Sequence, residues 1–532
     1  MKILVTDPIA KEGLDRLCCE AEVDVALGLS PIDLVARIGE YDALVVRSET
    51  KVAAPVIEAG NKLKVIGRAG VGVDNVDVET ATSKGILVVN SPGGNTTAAA
   101  EHTIGLILAL SRNIPQANAA LHSGKWERSR FTGVEVLNKV IGIVGLGRVG
   151  TEVARRAQGL LMRVVAFDPF LSEEAAHKLG VEMLPLQDVL HRADYLTVHV
   201  PLTSETHHLL GSRELSLMKT GARLINAARG GIIDEGALFD ALRSGHLAGA
   251  ALDVFETEPL SATSPLLTVP NVIVTPHLGA ATKEAQVNVA VDVAEDVLAA
   301  LRGEIVRNAV NLPPVPREVL RQLEPYLILA DKMGRLLGYL AGSAVDRLEV
   351  QYAGEVSEKN TALLTLAALQ GLLAPQLTEP VNLVNAPAIA RRRGILVSER
   401  RTSAAEGFAS LISVEVGTRT GTRSVAGTLF GAGEPRIVRI DQYRVDFEPF
   451  GYMLIDSHVD KPGMIGKVGT ILGSWHINIA GMQVGRKSPG GRAVTVLSID
   501  DPIPSEVLDQ LRAVDGIDDL KFVDLGNRHR AG

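Results

Sequence analysis

Apolar and polar positions alternate in strand-sized and helix-sized runs from the first residues of the chain. Lys2–Thr6, Ala43–Val46, Val65–Gly67 and Leu87–Val89 are short apolar runs separated by helical or glycine-containing stretches. Short buried strands alternating with helices predict a parallel sheet, because each parallel strand needs a crossover that covers a sheet face. Ala98–Leu110 is a long apolar helix, placed as a spine between two lobes. The strand pattern then resumes at Val140, and Thr151–Leu161 is an Ala/Arg-rich helix. Arg163–Phe167, Tyr195–His199, Arg223–Asn226, Ala250–Val254 and Val272–Thr275 read as further parallel strands. Gln286–Leu301 is a helix that returns the chain to the first lobe, so the first domain is expected to be discontinuous.

The pattern breaks at Asn311–Pro316, N-L-P-P-V-P, the clearest linker in the chain. Residues 317–450 mix helices with alternating strands such as Arg347–Tyr352 and Ile437–Ile440. Tyr452–Val459 then begins a smaller pattern: strand, helix to about Trp475, strand Ile477–Val484, hairpin at Ser488–Gly491, strand Ala493–Ile499, helix Ser505–Val514 and strand Leu520–Val523. That order, βαββαβ, predicts a ferredoxin-like fold.

Composition narrows the class. A chain of 532 residues predicts about three or four domains, and 46% hydrophobic residues suffice for their cores. A net charge of −8 argues against nonspecific nucleic-acid binding. The two cysteines, Cys18 and Cys19, are adjacent, with no CxxC spacing, which fits a reducing cytoplasm and argues against a zinc site. No apolar run reaches the ~18 residues of a membrane span, and the M-K-I-L-V-T-D-P start reads as a strand rather than a signal peptide.

Candidate chemistry centres on V-I-G-I-V-G-L-G-R-V-G, Val140–Gly150. Gly145 permits a tight turn, Gly147 lets the backbone approach a pyrophosphate, and Gly150 lets helix and strand pack closely. The helix N-terminus offers free N–H groups to phosphates. Asp168 ends the next strand, 18 residues past Gly150, where a carboxylate accepts from ribose hydroxyls and opposes a 2′-phosphate. The pattern therefore predicts dinucleotide binding, with NAD favoured over NADP. His277, in T-P-H-L-G, follows a strand at the edge where open α/β sheets bind ligands, and imidazole is the natural proton shuttle near neutral pH. Glu258 lies past another strand, where a carboxylate beside an imidazole fixes its tautomer. Glu256 is an equal candidate on spacing alone. Arg229, in N-A-A-R-G-G, offers a fork for a substrate carboxylate. Arg47 and Arg68 end strands of the first lobe and suit a second anionic group, with the backbone of Gly70 and Gly72 nearby. The basic runs Arg391–Arg393 and Arg400–Arg401 read as a solvated face.

These pieces together resemble the D-isomer-specific 2-hydroxyacid dehydrogenases over about residues 1–310. The matching runs are G-R-A-G-V-G-V-D-N (67–75), G-L-G-R-V-G, V-H-V-P-L-T (198–203), N-A-A-R-G-G-I-I-D-E (226–235), A-L-D-V-F-E-T-E-P (251–259) and T-P-H-L-G-A-A-T (275–282). The resemblance implies a catalytic set of Arg229, Glu258 and His277. It implies an NAD site of Gly145, Gly147, Arg148, Val149, Gly150, Asp168, Pro201, Thr206, Ala227, Asp253 and Gly279. Arg47, Arg68, Gly70 and Val71 would then meet substrate. V-N-L-V-N-A-P (381–387) and S-H-V-D-K-P-G (457–463) resemble the long branch of that family, which carries an intervening domain and a C-terminal ACT domain. The implied α/β architecture is a Rossmann-type NAD domain (98–286) inserted in a flavodoxin-like substrate domain (1–97 and 287–310). An α+β intervening domain of the allosteric substrate-binding type (317–450) and a ferredoxin-like ACT regulatory domain (452–532) follow.

The implied activity is NAD-dependent oxidation of 3-phospho-D-glycerate to 3-phosphohydroxypyruvate, opening L-serine biosynthesis, in a cytoplasmic homodimer or homotetramer. The resemblance implies L-serine as effector, bound between two ACT domains at His458, Asp460 and Asn478, and Asp460 stands where the best-known version has Asn. Trp126, near the domain hinge, would pack on a neighbouring subunit. Two rival readings share parts of the pattern: a glyoxylate or hydroxypyruvate reductase, and an NAD-sensing binding protein akin to transcriptional co-repressors.

Overall fold

The computed structural model describes residues 1–315, 317–419, 421–431 and 433–526. Pro316, at the end of the linker, and residues 527–532, at the end of the ACT segment, lie outside the described residues. The first sheet comprises β1 (Lys2–Val5), β2 (Glu22–Val25), β3 (Ala43–Val46), β4 (Val65–Arg68) and β5 (Leu87–Asn90). Its order, β2-β1-β3-β4-β5, is wholly parallel and flavodoxin-like. β2 is a strand that the apolar pattern misses: its E-V-D-V sequence sits at an edge and buries no residue. The second sheet comprises β6 (Val140–Val144), β7 (Arg163–Phe167), β8 (Glu182–Met183), β9 (Tyr195–Val198), β10 (Ala222–Asn226), β11 (Leu247–Leu252) and β12 (Val272–Val274). Its parallel order, β12-β11-β10-β9-β6-β7-β8, reverses direction beside β6, the switch point of a Rossmann sheet. The helix after β6 runs Arg148–Gly159, three residues earlier than expected, because Arg148 and Val149 already form its first turn with Gly147 as N-cap.

Two helices cross between these lobes, Thr96–Arg112 and Lys283–Leu301. Val293, Ala294, Val297 and Leu298 of the second join the core formed by Ile3, Val45 and Val65, so the returning helix packs under the first sheet. Ser91, just before the first crossing, donates to Asp292 of the second at 2.7 Å. That bond ties the two crossings together.

The third sheet comprises β13 (Val345–Gly354), β14 (Leu396–Thr402), β15 (Ser410–Thr418), β16 (Gly421–Phe430), β17 (Glu434–Ile440) and β18 (Tyr443–Phe447), in the order β14-β13-β15-β16-β17-β18. Helices Arg317–Leu340 and Ala362–Leu373 pack on it. The fourth comprises β19 (Tyr452–Val459), β20 (Ile479–Arg486), β21 (Arg492–Ile499) and β22 (Ile517–Asp524), antiparallel in the order β20-β21-β19-β22. Leu454 and Leu497 face helices Met464–Ser474 and Ser505–Arg512 in a small core with Leu472 and Val507. Met453, Ile455, Val494, Val496 and Val523 face the other way and merge into the intervening core beside Leu329, Met333 and Phe447. The ACT sheet is therefore not the separate unit that its sequence pattern implies. An alternating strand shows that both faces are in use, but not what covers the second. No helix among the described residues is long and apolar enough to cross a membrane.

Candidate active site

The nucleotide end is built from backbone. β6 delivers Gly145 at φ +93°, a left-handed conformation that favours glycine. A Cβ on Gly150 would lie 2.1 Å from the Gly145 carbonyl oxygen, so only glycine lets the helix start this close to the turn. A Cβ on Gly147 would meet nothing within 4 Å, leaving open space at the helix N-terminus beside Arg148 and Val149. Asp168, at the end of β7, accepts from Leu146 N at 2.8 Å and Phe170 N at 2.9 Å, which pins its carboxylate beside the glycine turn. Across the sheet, Thr206 donates to the Pro201 carbonyl at 2.6 Å and folds that loop at the mouth of the cleft. Ala227 leads out of β10, and its carbonyl oxygen lies 3.9 Å from where a Cβ on Gly279 would stand.

Arg229, Glu258 and His277 each leave the carboxyl end of a strand. Asn226 staples the first turn, donating to the Arg229 carbonyl at 2.9 Å and accepting from Ala228 N at 3.0 Å. A Cβ on Gly230 would fall 1.8 Å from the Phe255 carbonyl oxygen, so glycine allows this turn to sit against the loop that carries Glu258. Glu258 accepts from Phe255 N at 3.1 Å through one oxygen, and its other oxygen lies 2.8 Å from His277 Nδ1. Glu256 is turned away, onto His208 Nε2 at 3.1 Å and Glu235 N at 3.1 Å. The imidazole and the Glu258 carboxylate stay partly exposed, open to the cleft.

Asp253 is fully buried beneath this loop. It accepts from Leu278 N at 2.7 Å, Gly279 N at 2.8 Å and the Thr275 hydroxyl at 2.5 Å. Burial pushes its carboxyl upward, but bonds from His102, Thr275 and Leu278 outweigh that and hold it below the ordinary range.

The first lobe brings cations to the same cleft. Arg229 Nε lies 3.3 Å from Asp74 Oδ2, an ion pair across the lobes. The Arg68 guanidinium folds back over Gly70, and its Nε is buried with no hydrogen-bond partner. Burial, reinforced by Arg229 and then Arg47, pushes Arg68 down to about 10, against the opposing pull of Asp74 and Asp7. It remains a cation at neutral pH. Arg47 donates to the Pro8 carbonyl at 3.3 Å, and the Val71 carbonyl accepts from Asn90 at 2.5 Å, which fixes the 70–72 turn. Arg229, Arg68 and Arg47 lie near one another with only Asp74 paired to Arg229, a cluster that favours an anionic ligand.

The expected effector residues do not meet within one chain. His458 is buried, its Nδ1 2.6 Å from Asp456 Oδ1. Asp460 accepts from Arg486 at 2.6 Å, which holds its carboxyl low. Asn478 donates to Asp500 at 2.8 Å. The register pairs His458 with Ala493 but the start of β20 with Ile499, so Asn478 stands at the opposite end of the sheet, roughly 20 Å away.

Comparison with known proteins agrees with this geometry. Residues 104–279 match the NAD-binding domain of the D-isomer specific 2-hydroxyacid dehydrogenases. Residues 322–441 match the D-3-phosphoglycerate dehydrogenase intervening domain, and 452–516 match the ACT domain. The D-3-phosphoglycerate dehydrogenase of Archaeoglobus fulgidus is 47% identical over 528 residues, 99% of this chain and 100% of its own. That of Bacillus subtilis is 44% identical, covering 98% and 99% of the two chains.

The chain belongs to the D-3-phosphoglycerate dehydrogenase family.

Solved structures agree over the catalytic lobes. The TT0316 protein of Thermus thermophilus is 39% identical with a TM-score of 0.55, covering 58% of this chain and 100% of its own. A D-lactate dehydrogenase of Aquifex aeolicus, complexed with NAD and lactic acid, is 26% identical with a TM-score of 0.53, covering 59% and 100%. The cofactor of this dehydrogenase is NAD, and the open cradle at Gly147 beside a pinned Asp168 fits it. Asp168→Ala is expected to weaken NAD use and narrow the preference over NADP, because the ribose acceptor and the charge opposing a 2′-phosphate go together. Paired kinetics with both cofactors check this, and a preference for NADP in the unmodified protein would contradict it.

Proposed function

We infer that this dehydrogenase oxidises 3-phospho-D-glycerate to 3-phosphohydroxypyruvate, the first step toward L-serine. The reading is supported by the Glu258–His277 pair, which leaves strand ends beside that of Arg229, and by Arg229 meeting Asp74 of the first lobe near Arg68 and Arg47. A short hydroxy acid with an anion at each end needs that combination.

His277 is the proton acceptor. A carboxylate only accepts, so the 2.8 Å contact requires the proton on Nδ1 and leaves the Nε2 lone pair free for the C2 hydroxyl. Glu258 also stabilises the imidazolium that forms. Arg229 grips the carboxylate and polarises the developing carbonyl, exchanging Asp74 for substrate. Arg68, with its unpartnered Nε, and Arg47 hold the phosphate end. Bound NAD supplies the acceptor for the hydride that leaves C2. Lobe closure, pivoting on the Ser91–Asp292 tie, shields the reacting atoms from water. The test is formation of reduced nicotinamide with 3-phosphoglycerate against glycerate. Strong preference for the phosphorylated acid supports the reading, and equal use of glycerate favours a glyoxylate or hydroxypyruvate reductase.

The assembly is a homodimer or homotetramer. Trp126 is 83% exposed, and the nearby helix Ile114–His122 buries none of its residues. That surface suits a second copy of the chain. The L-serine site is read as lying between two ACT copies, because within one chain Asn478 stands at the opposite end of the sheet from His458 and Asp460. Light scattering should give at least twice 56.4 kDa. Millimolar L-serine should inhibit that assembly but not its Asn478→Ala variant; a monomer, or a serine-sensitive variant, would refute this arrangement. Exposed free thiols at Cys18 and Cys19 fit a reducing cytoplasm.

A further inference from the structure

His102 lies in the middle of the crossing helix Thr96–Arg112, among apolar positions that give no sign of chemistry. Its Nε2 is 3.1 Å from Asp253 Oδ1 and 3.2 Å from Thr275 Oγ1. Asp253 is an acceptor, so Nε2 carries a proton and donates. Thr275 already donates to the same oxygen at 2.5 Å, and its lone pairs can share the His102 proton. Asp253 also receives the backbone N–H groups of Leu278 and Gly279. Thr275 before His277 and Leu278 and Gly279 after it are therefore fastened to one buried carboxylate, and among the described residues His102 is the one side chain outside the loop that meets it.

We propose that His102 is a positioning residue for the reaction: from the crossing helix it holds Asp253, and through Asp253 the Thr275–Gly279 loop that presents His277. The proposal rests on the reading of His277 as proton acceptor. His277 has φ +55°, left-handed for a residue with a Cβ. Such a conformation persists only where neighbouring bonds over-determine it, and Asp253 supplies them on both sides: Thr275 before, Leu278 and Gly279 after. Asp253 would have three donors left without His102, but none from outside its loop. The loop could then drift with its anchor. The helix carrying His102 also starts at the hinge, five residues after the Ser91–Asp292 tie. The catalytic loop is thereby registered against the element about which the lobes close.

The substrate arginines stand on other loops, and the nucleotide turn lies on another strand. Loss of His102 should therefore reach kcat and spare KM for 3-phosphoglycerate. His102→Leu should lower kcat about 10- to 100-fold, the scale of a small misplacement of a reacting group. KM for 3-phosphoglycerate should stay within about threefold. His102→Gln, whose amide N–H reaches a similar point, should return kcat to within about fivefold of the parent. In a His277→Ala background, His102→Leu should cost less than about twofold more, because the group it positions is gone. Thermal unfolding of each variant is followed alongside, and His102→Ala replaces the leucine variant if that one does not fold.

A full kcat in the donor-less variants overturns the proposal while leaving His277 in its role. So does a loss expressed in KM, a loss that Gln fails to restore, or one that multiplies in the His277→Ala background. If His277→Ala itself turns over normally, the proton-acceptor reading falls, and this proposal with it.

Discussion

His277→Ala is expected to reduce turnover by about 10²–10⁴, the usual contribution of one general acid–base group. The imidazole is placed for one task. Its Nδ1 is committed to Glu258 at 2.8 Å, so only Nε2 can take the hydroxyl proton. His102 and His208 are committed elsewhere, to Asp253 and Thr275 and to Glu256. NAD affinity should change little, because the glycine turn and Asp168 hold the cofactor from a different strand. Glu258→Gln should give a smaller loss, since an amide can still orient the ring but cannot stabilise the imidazolium. Steady-state turnover with cofactor binding by fluorescence checks both variants. Turnover within threefold of the parent for His277→Ala would sink the assignment.

How far the sequence foretells this site depends on which contacts are local. The glycine turn, its flanking strands and Asp168 are legible because one βαβ unit encodes them at fixed spacing. β2 is not, because Glu22–Val25 is a half-polar edge strand whose pairing is set by β1 rather than by its own apolar pattern. Spacing cannot choose between Glu256 and Glu258; the choice is made in space, where Glu235 and His208 draw Glu256 away from the cleft. His102 is invisible for the same reason. A polar residue on an apolar helix reads as any half-buried histidine until its partner, 151 positions later in the chain, is known. The effector residues show a different dependence, on assembly. The resemblance names His458, Asp460 and Asn478 together across two ACT domains, and within one chain the antiparallel register puts Asn478 at the far end of the sheet.

The merging of the ACT sheet with the intervening core has an energetic consequence. Met453, Ile455, Val494, Val496 and Val523 are all nearly fully buried, and each contributes roughly 1.5–3 kcal/mol relative to exposure. Lys332 reaches from the long helix Arg317–Leu340 to the Leu525 carbonyl and reinforces the same contact. A ligand that pairs two ACT domains thus acts on a body continuous with that helix, whose first residues follow directly from the linker behind the catalytic lobes. Regulation by shared packing rather than by a flexible tether is the physical expectation.

Arg229→Ala is expected to lower kcat/KM for 3-phosphoglycerate by about 10²–10⁴, through both constants. Two charge-assisted hydrogen bonds to the carboxylate, at about 1.5–3 kcal/mol each, account for that range. The loss enters KM because the carboxylate loses its fork, and kcat because the developing carbonyl loses its electrophile. Arg229→Lys should recover little and remain more than about tenfold below the parent, since an ammonium cannot reproduce the planar bidentate geometry. The surrounding structure makes the difference sharper. Asn226 and Gly230 fix the backbone turn whatever side chain it bears, so the variants test the guanidinium and not the loop. Asp74 provides the internal control. It pairs with Arg229 across the lobes before substrate arrives, and Asp74→Asn should leave substrate binding intact or tighter by removing a competitor for the same cation. Steady-state kinetics on the three variants decide the matter. If Arg229→Lys matches the parent, a single positive charge suffices and the bidentate role fails. If Arg229→Ala affects KM alone, Arg229 holds the substrate without polarising its carbonyl.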